Sequence, residues 1–356
     1  MIKMYKMYVA AVVLLTCAFA LAFTAEVKAG GFSVAPVFPS NQRAESTGSF
    51  NLDMEPGQFQ EVFIQVTNQQ DNPIEVEINL ITPGTNRNGI IDYTSTGVLD
   101  ETLINSFSDI AFLPVDNIVT IPPNTVAQVP FIIEVPEEGF EGEKLGAVHV
   151  LLGITDEELE AAGTIVNRFA NVIAVRLNQV GSPPMSSIIP DFVLGGVDME
   201  LVNHRASIVA NIRHPQPRLS MGALVHSQVY AVGGDSPIFS SENISVDFAP
   251  HSIFPLTMTD RAGYGIAPGD YIIRIQMEHE GRNWSFEEAF TIEAQHAAAI
   301  NVASVNQQQN PASQMNNQDS ADGEFPWIPA VIAANVVAIG AVAFYLIRKS
   351  KKKTVN

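Results

Sequence analysis

The sequence predicts an all-β protein: two tandem immunoglobulin-like antiparallel β-sandwich domains and one C-terminal transmembrane helix. Three observations predict it. Apolar and polar residues alternate with period two through most of the chain, turn signals interrupt the alternation at short intervals, and one long uncharged apolar run ends in a basic cluster.

The elements follow in chain order. Residues 1–29 have the three parts of an export signal: Lys3 and Lys6, then the apolar Val9–Phe23, then small residues with a cut between Ala29 and Gly30. Cys17 lies inside the apolar run, where Thr16 fits poorly before a lipidated cysteine. It is an apolar filler that leaves with the signal, so the exported part has no cysteine and needs no disulfide.

Residues 30–182 form the first expected sandwich. Val62, Ile64 and Val66 share one face of a strand, as do Ile74, Val76, Ile78 and Leu80, and Val129, Phe131, Ile133 and Val135. Pro56-Gly57, Asn88-Gly89 and Pro122-Pro123 mark turns between them. Thr155-Asp156-Glu157-Glu158 makes a capping box ahead of Leu159 and Ala161, the one helix suggested in this half. The seam falls near Gly181-Ser182-Pro183-Pro184. Residues 185–294 form the second sandwich, with Ile208, Ala210 and Ile212 on one strand face and Tyr271, Ile273, Ile275 and Met277 on another.

Residues 295–325 contain 11 Asn or Gln and no apolar periodicity, which reads as a flexible spacer, with an Ala-rich helical stub at Ala297–Ala299. Trp327–Ile347 is 21 residues without a charge, a length that matches about 30 Å of hydrocarbon, in a transmembrane segment spanning 326–347. Five basic residues in the tail 348–356 place that end in the cytoplasm and the preceding chain outside, anchored to the cell membrane by a single pass.

The net charge is -19, but the basic residues cluster at the ends. Between residues 30 and 325 only 11 basic residues face 37 acidic ones, and Lys144 is the sole lysine. Such a surface repels nucleic acid and other anionic polymers. No catalytic constellation appears: there is no cysteine nucleophile and no G-x-S-x-G elbow, and His279-Glu280 does not continue as a zinc helix. The seven histidines lack ligand spacing, so no metal or cofactor is expected. Two polar groups remain as binding candidates, Asn41 with Gln42 before the first strands, and Asn86, Asn88, Asp92 and Tyr93 at a hairpin tip. Amides, a carboxylate and a ring suit sugar and peptide recognition; the same residue types also serve turns through local hydrogen bonds and positive φ.

Several blocks stand in a set order: Phe32 to Gln42, Ser49-Phe50-Asn51-Leu52, Thr85 to Tyr93, Phe107-Ser108-Asp109-Ile110, Phe140-Glu141-Gly142 and Leu145-Gly146. Ile212 to Pro217, Phe248 to Ser252, Ala267 to Tyr271 and Arg282-Asn283-Trp284 continue the series. In order and spacing the chain resembles the WxL-interacting proteins of Gram-positive bacteria, with Ala147 where a second glycine is usual. The resemblance implies a non-enzymatic surface binder. Its first domain would take peptidoglycan, and its second would take WxL-domain surface proteins or host extracellular-matrix proteins. Two other readings stay open. Tandem sandwiches also describe pilus-type assembly chaperones, which lack an anchor and spacer, and a wall-modifying enzyme could hide a dispersed carboxylate site.

The mature N-terminus is predicted at Gly30, which mass spectrometry reads directly. Deleting residues 326–356 should release the protein into the medium, and continued membrane retention of that truncation would contradict the anchor.

Overall fold

The computed structural model describes residues 31–304 apart from 45, 96, 115, 155–167 and 184. The expected signal with its Ala29–Gly30 cut, the helix from Thr155, the spacer beyond residue 304, the segment Trp327–Ile347 and the basic tail all lie outside the described residues. Among the described residues no helix is long and apolar enough to cross a membrane.

The chain is all-β. Its first set of strands comprises β1 (Phe32–Val37), β2 (Phe50–Met54), β3 (Phe59–Asn68), β4 (Ile74–Ile81), β5 (Gly84–Thr85), β6 (Ile91–Asp92), β7 (Ala111–Phe112), β8 (Ile118–Ile121), β9 (Val126–Glu134), β10 (Glu143–Leu152) and β11 (Ala170–Gln179). A single-turn helix, α1 (Phe107–Ile110), precedes β7. One sheet orders β1-β3-β9-β7, the other β2-β11-β10-β4-β8, and β5 pairs with β6 in a hairpin. The alternation explains the packing: Val62, Ile64, Phe131 and Ile133 of one sheet face Phe50, Val76, Ile78, Val148 and Val175 of the other across one core. Each such side chain contributes about 1.5–3 kcal/mol relative to exposure.

Two features depart from the expected pattern. β2 runs parallel to β11, in register from Phe50↔Val175, although antiparallel pairing was expected throughout. No hairpin joins these strands, so no tight turn dictates their direction. Strand β10 shows no alternation because both its faces are covered, and even Glu143 and Lys144 are buried.

The second set comprises β12 (Val193–Val202), β13 (Arg205–His214), β14 (Ser220–Ala231), β15 (Phe239–Phe248), β16 (Ser252–Thr259), β17 (Gly269–His279) and β18 (Arg282–Ile292), followed by α2 (Ala294–Ala303). Three strands order β12-β13-β16 and four order β15-β14-β17-β18. Phe248 meets Phe254 edge to face at 5.8 Å and Phe192 at 4.7 Å, and Trp284 closes on Phe192 at 4.9 Å.

The chain divides into two compact units. The smaller takes Asp198–Ile208, Met258–Asp270 and the described residues from Thr291 on. Within it Asn301 mimics a strand partner, accepting from Ile266 N at 3.0 Å and donating to Ile266 O at 2.8 Å. His296 Nε2 lies 2.7 Å from Met199 O, and Ala297 is buried. The Ala-rich stub is thus a packed ten-residue helix, and the first part of the expected spacer belongs to the folded body.

The larger unit takes the described residues up to Val197 with Val209–Thr257 and Tyr271–Phe290. Inside it the long connection from β4 to β8 lies against residues of β13 to β16. Asp247 N donates to Gly89 O at 2.8 Å, Ala249 N donates to Thr85 Oγ1 at 3.0 Å, and Ile253 N donates to Val98 O at 3.0 Å. The side chain of Asp100 is fully buried and accepts from Arg213 Nε at 2.6 Å and Nη2 at 3.1 Å, and from Thr102 Oγ1 at 2.7 Å. Burial pushes the Asp100 carboxyl up, but the Arg213 and Thr102 hydrogen bonds outweigh it and hold it at about 2. Nearby His251 Nδ1 sits 2.9 Å from Thr102 Oγ1. Its pKa is pushed down to about 4 by burial first, then by the Lys144 and His214 charges.

These shifts predict the acid profile. Folded His251 resists a proton that the unfolded chain accepts from its ordinary 6.5, so stability falls as pH drops from there towards 4. Asp100 removes a second increment as pH falls from 3.8 towards 2. Thermal melts against pH should show both steps. Asp100→Asn should lower the melting temperature by several degrees at pH 7 and remove the lower step. An unchanged melt would show that the pair does not hold the connection.

Candidate functional site

The structure places the sequence-predicted residues in two separate groups. Asn41 donates to Asp53 O at 2.7 Å and exchanges two amide hydrogen bonds with Gln60, each 2.9 Å. Gln42 Oε1 accepts from Asn51 N at 3.0 Å, while its Nε2 donates to Ser49 O at 3.2 Å and Ser46 O at 3.3 Å. Both side chains pin the turn before β2 to that strand. Asn86 and Asp92 lie on the β5–β6 hairpin. Asn86 Oδ1 accepts from Asn88 N at 2.9 Å, and Asp92 Oδ1 accepts from Thr94 N at 2.9 Å and Thr94 Oγ1 at 2.6 Å, the geometry of side-chain turns. Asp92 has its pKa lowered because the Thr94 and Ser95 hydrogen bonds outweigh burial. Burial raises the pKa of the Tyr93 phenol, with the Arg176 charge opposing it. Among the described residues no hydrogen bond joins the Asn41–Gln42 group to the hairpin.

A different surface of the first sandwich is concave. With Val62, Ile64 and Val66 inward, Phe59 must point out of β3, and Glu134 lies opposite it on β9. One strand further, Phe112 of β7 stands opposite Ile132 on the same outer face. Phe59 is 61% exposed and Phe112 is 42% exposed. Together with Asn105, Asp109, Ile110, Gly57 and the Val135–Glu137 turn they line a cleft of about 310 Å³, within the small-ligand range. Asp109 accepts from Ser106 N at 2.8 Å, which stabilises the start of α1. Among the described residues Glu134 and Glu137 have no ion-pair partner.

Packing beneath α1 positions this wall. The Phe107 ring is fully buried against Gly146, where any Cβ would overlap it, so β10 needs glycine there for space. Lys144 is buried, donates to Ile104 O at 2.6 Å and lies 5.4 Å from the Phe140 ring centre. Burial lowers its pKa to about 8, with Asp109 partly offsetting that. Sequence reasoning missed the cleft. The signal was the outward register of Phe59 and Phe63, two large aromatics on the polar side of an alternating strand.

The second strand set has two shallow clefts. One of about 650 Å³ is lined by Leu224, His226, Asn243, Gln276, Met277, Glu278 and Asn283. The other, of about 590 Å³, is lined by residues including Ile188, Ile189, Asp191, Gln216, Arg282 and Trp284. Strand β18 ends its sheet, which leaves that edge without a strand neighbour among the described residues. Among the described residues no group of three or more His, Cys, Asp or Glu could hold a metal ion.

Two family descriptions match the chain: "WxL Interacting Protein, peptidoglycan binding domain" over residues 32–151 and "WxL Interacting Protein, host binding domain" over residues 160–302. Among solved structures the CupB2 chaperone of Pseudomonas aeruginosa is 14% identical. That match covers 67% of this chain and 97% of that one, with a TM-score of 0.27. The E. coli chaperone DraB is 14% identical, covering 74% and 98%, with a TM-score of 0.28. The CsuC–CsuE chaperone–tip adhesion subunit complex of Acinetobacter baumannii is 8% identical, covering 63% and 89%, with a TM-score of 0.30. No curated protein matches the chain.

Gln42→Ala leaves Asn51 N without its acceptor and should cost about 1–3 kcal/mol. Denaturant melts measure the loss, and ligand binding should fall only with the unfolded fraction. A binding loss at unchanged stability would make Gln42 a contact residue. The same comparison for Asn88, Asp92 and Tyr93 to Ala separates turn chemistry from ligand contact at the hairpin.

Proposed function

The chain belongs to the WxL-interacting protein family, and from that premise we propose that it is a non-enzymatic, two-headed binding protein of a Gram-positive cell surface. Its first domain attaches to peptidoglycan, and its second takes a WxL-domain surface protein, a host extracellular-matrix protein, or both. The carrying observation is the pair of binding domains, in that order, within one chain. The apolar run Trp327–Ile347 with its basic tail, and the export signal ending at Ala29, support a single-pass membrane anchor that holds both domains outside.

The geometry supports binding. The concave surfaces of the larger unit carry amides, carboxylates and exposed rings, the chemistry of recognition by hydrogen bonds and stacking. The edge of β18 suits strand addition by a partner, because main-chain pairing needs no charge complementarity with so acidic a chain.

The full chain, purified in detergent, should sediment with isolated peptidoglycan at physiological salt and micromolar concentration. The sedimented chain should still retain a WxL-domain protein, and soluble wall fragments should release it from the wall without releasing that partner. Mutual exclusion of the two ligands would contradict separate heads. Failure to retain either one would end the binding proposal.

A further inference from the structure

We propose that the cleft between β3, β9 and α1–β7 is where the first domain grips peptidoglycan, and that it selects the amine-bearing stem peptide. This deepens the wall-binding reading above and rests on it. Phe59 and Phe112 are large rings left in water on one face of one sheet, with Glu134 beside Phe59 and Ile132 beside Phe112. Isolated exposed apolar residues need no explanation, but two rings rimming a concavity form a patch that a ligand would cover.

Charge then narrows the ligand. Glu134 and Glu137 line the cleft without an ion-pair partner among the described residues, whereas the Asp109 carboxylate accepts from Ser106 N and already faces the charge of buried Lys144. A cleft with this charge rejects phosphate-rich wall polymers and attracts cations. Within the wall, the cationic group is the side-chain amine of an uncrosslinked stem peptide. A lysine-like amine titrates near 10.4 and is charged at neutral pH. Its methylene stem can lie along the phenylalanine rings while the ammonium meets the carboxylates, so one side chain uses both features. Each crosslink converts the amine of its acceptor stem to an amide while the donor stem keeps its own, so the cleft favours immature or lightly crosslinked wall, where free amines are most numerous.

The test uses the full chain in detergent, isolated peptidoglycan, and the same peptidoglycan with its free amines acetylated. Wild type should bind the acetylated wall about tenfold less tightly, the scale of one charge-assisted contact. Glu134→Gln with Glu137→Gln should bind both preparations at that weaker level, and Phe112→Ala should weaken binding to both. All three side chains are exposed enough for the melting temperature to stay within a few degrees of wild type, which is checked alongside. Equal wild-type binding to the two walls, or unchanged binding by the double glutamine variant, overturns the cleft assignment while leaving wall attachment standing. No wild-type sedimentation with either wall overturns the wall-binding reading itself, and this inference with it.

Discussion

A single buried carboxylate fixes the course of the long connection between β4 and β8. Asp100 has no exposed side-chain surface, and a bare ion there would be untenable. Arg213 answers it with two hydrogen bonds and Thr102 with two more, from N at 3.0 Å and Oγ1 at 2.7 Å. That satisfaction holds residues 98–102 beside Ser252 and Ile253, with Asp100 N donating to His251 O at 2.7 Å. Further anchors hold the described residues that follow in the connection. Lys144 catches Ile104 O, Phe107 seats on Gly146, and α1 with β7 then presents Asp109 and Phe112 on the outer face of the sheet. The proposed wall site is thus built by ordinary strand alternation on one side and by a locked loop on the other.

Much of the fold is legible in the sequence because its strands are half-buried. Val62, Ile64 and Val66, Val129 to Val135, and Tyr271 to Met277 alternate as written and bury the predicted face. Legibility fails where that physical condition fails. β10 is covered on both sides and carries Glu143 and Lys144 into the interior, so no alternation marks it. The parallel pairing of β2 with β11 depends on residues more than a hundred positions apart, which no local pattern reports. The two groups of predicted binding residues were chosen for chemistry suited to ligands, yet their amides and carboxylate largely meet their own backbone. The cleft was half-visible. Its Phe59 ring follows from the register of β3, whereas Asp109 and Phe112 are brought beside it by the packing of Phe107 on Gly146 and the pairing of β7 with β9, contacts between distant residues that no local pattern reports.

The proposed site sets an acidic, lysine-poor surface against a cationic target. Where charges of one sign dominate, specificity comes from where they are left unpaired. Arg168 meets Glu77, Arg274 meets Glu287, and Arg218 meets Glu280, which neutralises carboxylates elsewhere in the larger unit. Glu134 and Glu137 have no ion-pair partner among the described residues and lie in the cleft lined by Phe59 and Phe112.

A crystal structure of the protein with a soluble muropeptide bearing a free side-chain amine tests this most directly. Ligand density is expected between Phe59 and Phe112, with the amine within hydrogen-bond distance of Glu134 or Glu137. Density at the Asn86–Tyr93 hairpin instead, or an empty cleft at saturating muropeptide, would contradict it.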